Sequence, residues 1–214
     1  MPKEYIWEVK AKNTPLLNKK CNRCDSDRFY CSEKFRMNAQ KKNIDIWLIY
    51  RCIKCDSTYN MTIFSRTKPE SVNKALFNSF SRNDTAIAWE YAFSPEAKQK
   101  NNLEFDYGSV EYEIQHDGIT AEDLINIDSE AVTFKIRCPF DFNLKLSSVI
   151  RVCLKLSAGR LNQLIEMKVI SVQEKHLQKK HKVKNGDVIR VNMEKLKSVY
   201  RSIFACTMEK DLEI

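Results

Sequence analysis

Two Cys-x-x-Cys pairs constrain this chain more than any other feature. Cys21/Cys24 and Cys52/Cys55 are separated by 27 residues, and their flanks are near-copies: Lys20-Cys21-Asn22-Arg23-Cys24-Asp25-Ser26 against Arg51-Cys52-Ile53-Lys54-Cys55-Asp56-Ser57. A tight turn with thiolates three positions apart aims both sulfurs at one point, and two such turns complete a closed tetrahedral site with metal–sulfur bonds of about 2.3 Å. The spacing predicts one structural Zn²⁺ on Cys21, Cys24, Cys52 and Cys55, because four thiolates leave no open position for water. Each turn needs a residue that tolerates a left-handed backbone after its second cysteine; Asp25 and Asp56 can serve, since short polar side chains bond locally. Lys20, Arg23, Arg51 and Lys54 stand where they would offset the thiolate charge. A reducing compartment disfavours disulfides, and a thioredoxin-like pair would be single and set in a βαβ pattern that is missing here. Cys31, Cys138, Cys153 and Cys206 sit singly among apolar residues and read as small core hydrophobes.

Around the pairs the pattern is that of strands. Arg28 to Arg36 and Ile44 to Tyr50 read as a hairpin with a polar connection over 38–43, and Thr58 to Phe64 reads as a third strand. Knuckle, hairpin, knuckle and strand is the layout of a zinc ribbon, expected over residues 1–68. So small a part cannot bury enough surface alone, and the metal would supply much of its folding energy.

Charge divides the rest of the chain. The 214 residues carry a net charge of +8, but residues 1–68 hold +8, 69–130 hold −9 and 131–214 hold +9. The acidic stretch reads as helical first. One amphipathic segment opens at Pro69-Glu70-Ser71 and carries Val72, Ala75, Leu76, Phe77 and Phe80; a second, Thr85 to Phe93, is capped by Asn83 or Asp84. Ser94-Pro95-Glu96 restarts a short turn, and strands follow over Phe105 to Ile114 and Val132 to Arg137, flanking a weak helix at Thr120 to Ile125.

Several classes of function fall away. The 4 glycines, Gly108, Gly118, Gly159 and Gly186, are too scattered to form a phosphate-cradling loop. His116, His176 and His181 show no metal-ligand pairing, no serine sits in a nucleophile elbow, and Glu111, Glu113, Glu122 and Asp123 read as solvated surface. No catalytic residue is therefore assigned. The longest apolar run, Ile46 to Tyr50, falls far short of the ~20 residues a membrane span requires, and the amino terminus lacks a signal-peptide stretch, so a cytoplasmic location is expected.

From Leu144 the pattern becomes regular. Leu146, Val149, Ile150, Cys153 and Leu154 form one helical stripe; Ser157 is an N-cap for a second, with Leu161, Leu164 and Ile165. Val169 to Val172 and the turn from Val183 through Gly186-Asp187 to Val191 read as strands. This stretch resembles the alpha-L RNA-binding motif shared by a small-subunit ribosomal protein, tyrosyl-tRNA synthetases and many pseudouridine synthases. Lys145-Leu146-Ser147-Ser148-Val149-Ile150 meets the start of its first helix. Ser157, Leu161, Leu164, Ile165, Ile170 and Val172 meet its second helix and strand, and Val183, Gly186, Asp187, Ile189 and Val191 meet its closing turn. The departures are Ser147 for aspartate, Ala158 for arginine and Lys168 for the helix-ending glycine, so scaffold positions match better than RNA-contacting ones. The chain also resembles a bacterial family of unknown function, through Phe29 to Ala39 after the first knuckle, Asp45 to Cys52 into the second, and Tyr59-Asn60.

The expected fold is α+β: a zinc ribbon (1–68), an acidic helical and strand connector (69–143), an alpha-L RNA-binding-like module (144–192) and a C-terminal helix and tail (193–214). The resemblance implies contact with structured RNA, ribosomal or transfer RNA by analogy. Charge agrees, since 11 Lys/Arg face only 3 acidic residues between Lys145 and Arg190, and cations along short helices gain affinity through counterion release. Lys145, Arg151, Lys155, Arg160 and Lys168 are the first candidates for phosphate contact, with Lys179, Lys180 and Lys182 second. The competing expectation is a regulator whose ribbon docks protein or DNA, with Trp47 or Tyr59 as anchors.

Overall fold

A computed structural model of the chain describes residues 3–40, 42–178 and 180–210. Its elements run β1 (Lys3–Ala11), β2 (Leu16–Asn18), β3 (Arg28–Gln40), β4 (Asn43–Cys52), β5 (Thr58–Thr67), α1 (Lys74–Ser81), α2 (Thr85–Phe93), α3 (Pro95–Lys100), β6 (Glu104–Asp106) and β7 (Tyr112–Gln115). There follow α4 (Ala121–Ile125), β8 (Ala131–Arg137), α5 (Leu146–Cys153), α6 (Ala158–Glu166), β9 (Ile170–Val172), β10 (Lys175–His176), β11 (Val188–Asn192) and α7 (Met193–Lys210). The fold is mixed α+β, and it divides into two compact units: residues 11–112, and residues 1–10 with 113–214.

In the first unit a sheet of order β5-β4-β3-β2-β6 carries α1–α3 on one face. Strict alternation along β4 buries Ile44, Ile46, Leu48, Tyr50 and Cys52, the pattern of a strand with one covered face. Phe80 of α1 meets Phe35 at 4.8 Å between ring centroids and Phe64 at 5.9 Å. The hairpin is longer than its apolar pattern predicts. Instead of a polar connection over 38–43, pairing runs on through Asn38↔Asp45 to Gln40↔Asn43, because ladder bonds need no apolar side chain on the solvent face. A bulge between Cys31 and Lys34 puts Glu33 at φ 57, and its carboxylate accepts the Trp89 indole N–H at 2.6 Å.

Local polar groups reset two boundaries. The helix expected from Pro69 is a 3-10 turn over Pro69–Ser71. Extended Val72 breaks it, and Asn73, whose Oδ1 accepts the Ala75 N–H at 2.8 Å, opens α1 instead. The strand expected over 105–114 is interrupted because Asp106 Oδ1 accepts the Gly108 N–H at 3.0 Å, and its two pieces, β6 and β7, join different sheets. At α2 the cap is Asp84; Asn83 is left-handed and accepts the Phe35 N–H at 2.7 Å.

The second unit is built on a sheet of order β10-β9-β11-β8-β1-β7, with β1 parallel to β8 and β11 antiparallel to β8 and β9. Trp7 and Phe134 stack at 4.2 Å in its interior. The stripes of α5 (Leu146, Val149, Ile150, Cys153) and α6 (Leu161, Leu164, Ile165) are buried. Ser157 caps α6, accepting the Arg160 N–H at 3.1 Å, and Thr120 with Asp123 forms a capping box on α4. Leu196, Val199 and Tyr200 of α7 are buried; the side chains of Ile203, Phe204 and Cys206 lie outside the described residues.

Candidate functional site

The two knuckles converge. The Sγ atoms of Cys21, Cys24, Cys52 and Cys55 all lie within 4.8 Å of one another, with Cys21–Cys55 at 3.6 Å and Cys24–Cys52 at 3.5 Å. A tetrahedron of 2.3 Å metal–sulfur bonds has edges of about 3.8 Å, so the donor set fits a single ion. Each knuckle closes in the same way, Cys21 N–H to Ser26 O at 2.8 Å and Cys52 N–H to Ser57 O at 2.9 Å. Their aspartates differ. Asp56 takes φ 57 and donates its N–H to Cys52 O at 3.1 Å, whereas Asp25 forms no such bond and is not left-handed; the expected equivalence holds for Asp56 alone. The basic flanks are also partly committed elsewhere: Arg51 pairs with Asp56, and Lys54 with Asp25 at 2.5 Å. These two cations are neutralised by carboxylates rather than reserved for sulfur.

Sequence reasoning missed the serines. Ser57 Oγ lies 3.1 Å from Cys21 Sγ and 3.2 Å from Cys55 Sγ. With the Arg23 N–H, it draws the Cys21 thiol down to about 6. Burial opposes ionisation at Cys52, but the N–H groups of Cys55 and Lys54 and the Ser26 hydroxyl bring its thiol below the usual value. At Cys24 the Ser26 N–H favours the thiolate, yet burial and the other three sulfurs outweigh it and push the thiol up to about 12. Ser26 and Ser57 each therefore serve the opposite knuckle. The repeated Cys-Asp-Ser in both flanks was the available signal. By contrast, burial raises the thiols of Cys31 and Cys153 to about 12 and that of Cys138 to about 11, as core positions require.

The basic candidates fall into three groups. Lys145 and Lys182 come together through an antiparallel bridge, with Lys182 Nζ 2.5 Å from Asn143 Oδ1. Lys155 and Arg160 line a cleft of about 390 Å³ at the N-terminus of α6, with Ser157, Thr120, Glu122 and Tyr200. Lys168 stands apart at the other end of α6. Arg151 and Lys180 are exposed. Arg160 is the least free, lying 4.4 Å over the Tyr200 ring and donating to Gln163 Oε1 at 3.1 Å. Lys179 lies outside the described residues. Lys155 and Lys168 adopt φ 51 and 54 just after α5 and α6, so the chain turns out of each helix through a left-handed lysine. None of Lys145, Arg151, Lys155, Arg160, Lys168, Lys180 and Lys182 forms an ion pair with a carboxylate among the described residues. Asp123 is held below the usual range chiefly by the Thr120 hydroxyl and N–H, with Lys155 adding a smaller contribution.

Asp187, read from the sequence only as part of a turn, is 1% exposed. It accepts the Lys184 N–H at 2.9 Å and lies 3.0 Å from His181 Nε2, while Gly186 takes φ 86. Of the two proposed anchors, Tyr59 packs against the core and Trp47 is half-buried on the opposite sheet face.

The fold and site thus define a mixed α+β chain with a four-cysteine cluster able to hold one metal ion. Residues 37–176 match the family described as "Protein of unknown function (DUF1062)". The chain belongs to this family; the match starts at Met37, after the first knuckle. No curated protein and no solved structure gives a significant match. Among the described residues no helix is long and apolar enough to cross a membrane.

Proposed function

We propose that this chain is a zinc-containing, non-catalytic RNA-binding protein that grips structured RNA through the cations around α5 and α6. One observation carries the reading: among the described residues those cations form no ion pair with a carboxylate, so the segment keeps its positive charge for an external polyanion. The likeness of residues 144–192 to the alpha-L motif supports it, and left-handed Lys168 stands where that motif ends its helix with glycine. Zinc is favoured at the four cysteines because an all-thiolate tetrahedron is its usual structural site; when bound it would tie the two knuckles together.

The test is binding of a labelled RNA hairpin across a salt series. Affinity should fall steeply between about 50 and about 300 mM salt. Replacing Arg151, Lys155 and Lys168 with Gln should weaken all hairpins alike and flatten the salt slope by roughly 1 per lost phosphate contact. Binding insensitive to both salt and these substitutions overturns the reading.

A further inference from the structure

The sheet of the knuckle-bearing unit has a second face, opposite α1–α3, whose side chains are exposed or half-buried. Helices α1–α3 pack on the side of Ile46, Leu48 and Phe35, whereas Asp45, Trp47, Ile49 and Arg51 of β4 point the other way and stay half-buried. Register fixes their neighbours. Trp47 stands between Arg36 of β3 and Thr62 of β5, Ile49 between Lys34 and Asn60, and Arg51 between Tyr30 and Thr58. Tyr30 is 40% exposed. The result is an aromatic and aliphatic line, Trp47–Ile49–Tyr30, bordered by cations and neutral hydrogen-bonding side chains.

The charges on this face are not balanced internally. Lys34 and Arg36 are exposed, and among the described residues neither forms an ion pair. The nearby carboxylates are committed: Asp45 accepts the Arg66 N–H at 2.8 Å, and Asp56 takes the Tyr30 hydroxyl at 3.0 Å together with the Arg51 guanidinium. A protein partner would be met by a broader apolar patch with a polar rim. Here single aromatic rings are interleaved with unpaired cations, which is the composition of a surface that stacks bases and meets phosphates.

We propose that this face binds single-stranded RNA, with bases stacked on Trp47 and Tyr30 and phosphates held by Lys34 and Arg36. The inference rests on the RNA-binding reading and adds a second surface with a different specificity. Duplex RNA hides its base faces and a single strand offers them. The two aromatic positions are four residues apart along the paired strands, about 13 Å, and Ile49 lies between them as an apolar floor. Stacking tolerates any base, so little sequence preference is expected.

The experiment uses the full, zinc-loaded chain, a 12-nucleotide oligouridine and an RNA hairpin. Trp7 is fully buried and Trp89 is hydrogen-bonded to Glu33, which makes Trp47 the responsive fluorophore. Oligouridine should quench its emission. With labelled oligouridine, Trp47→Leu should weaken binding about 10-fold while Trp47→Phe keeps most of the affinity, and hairpin binding should stay unchanged in both. The double variant Lys34→Gln, Arg36→Gln tests the same face without touching the packed ring, and should lower the oligouridine salt slope by about 1.4. Hairpin binding without oligouridine binding overturns this inference and leaves the wider reading standing, whereas failure of both ligands overturns both. Oligouridine affinity unchanged in both the Trp47→Leu and the double variant overturns it as well, and places the single strand elsewhere.

Discussion

The two units close their polar turns by opposite means. In residues 11–112 the turns end in four sulfurs while two of the flanking cations, Arg51 and Lys54, are taken by Asp56 and Asp25, and the ionisation of the thiols is pulled apart, Cys21 down to about 6 and Cys24 up to about 12. Four adjacent thiols cannot all ionise without a counter-charge, and their geometry is one that could hold an ion among them. In the other unit the Gly186–Asp187 turn buries a carboxylate that the chain itself supplies, through the Lys184 N–H and His181. With an ion bound, the first unit would draw its counter-charge from solution, whereas the Gly186–Asp187 turn meets its carboxylate with groups of the chain itself.

Removing the metal should break this comparison most visibly. A strong chelator, or Cys52→Ser, is expected to abolish metal stoichiometry of one per chain and to erase amide protection along β3, β4 and β5. Protection along β8 and β11 should persist. Elemental analysis paired with hydrogen exchange reads both, and protection unchanged in β3–β5 after complete metal loss would show that the sheet needs no ion. Asp187→Asn is the reciprocal perturbation. It leaves the Lys184 N–H and His181 facing a group with half the acceptor capacity, at a cost of about 2–3 kcal/mol. Denaturant unfolding should show this loss with metal content intact.

How far these features could be read beforehand follows from their range along the chain. The knuckles, the middle of the hairpin, α2 with a cap at Asn83 or Asp84, and the stripes of α5 and α6 each depend on residues a few positions apart, and periodicity exposes such local preferences. Features set by distant partners stayed hidden. Nothing near Trp7 announces that residues 3–8 pair with 132–137, so the first ten residues read as the start of a ribbon although they belong with residues 113–214. For the same reason deleting residues 1–68 cannot isolate the knuckles, since it also strips β1 from between β8 and β7. The candidate site divides in the same way. Its four cysteines are a spacing motif, legible at once, whereas the reach of Ser57 to Cys21 crosses from one knuckle to the other. The cations of the basic segment could be counted but not placed, because their freedom from carboxylates is a property of the folded surface.

The smallest expected effect sharpens the comparison from within the unit that carries the four cysteines. Ser57→Ala removes the hydroxyl that lies within 3.2 Å of both Cys21 and Cys55 sulfurs but leaves every ligand in place. Groups that orient and stabilise ligands in this way typically contribute 10–100-fold to metal affinity, and about 10-fold is expected here because the backbone N–H of Arg23 remains at Cys21. The sign of the pH effect follows from the same bond. A thiol held below its ordinary value keeps its thiolate until the pH falls toward that lowered value, and losing Ser57 raises it, so protons compete with the metal earlier. On acidification the variant should release its ion at a higher pH than the parent, with no change in fold at saturating metal. Competition with a chromophoric chelator at several pH values measures this shift directly, and coincident release curves would mean that the serine merely fills space between the knuckles.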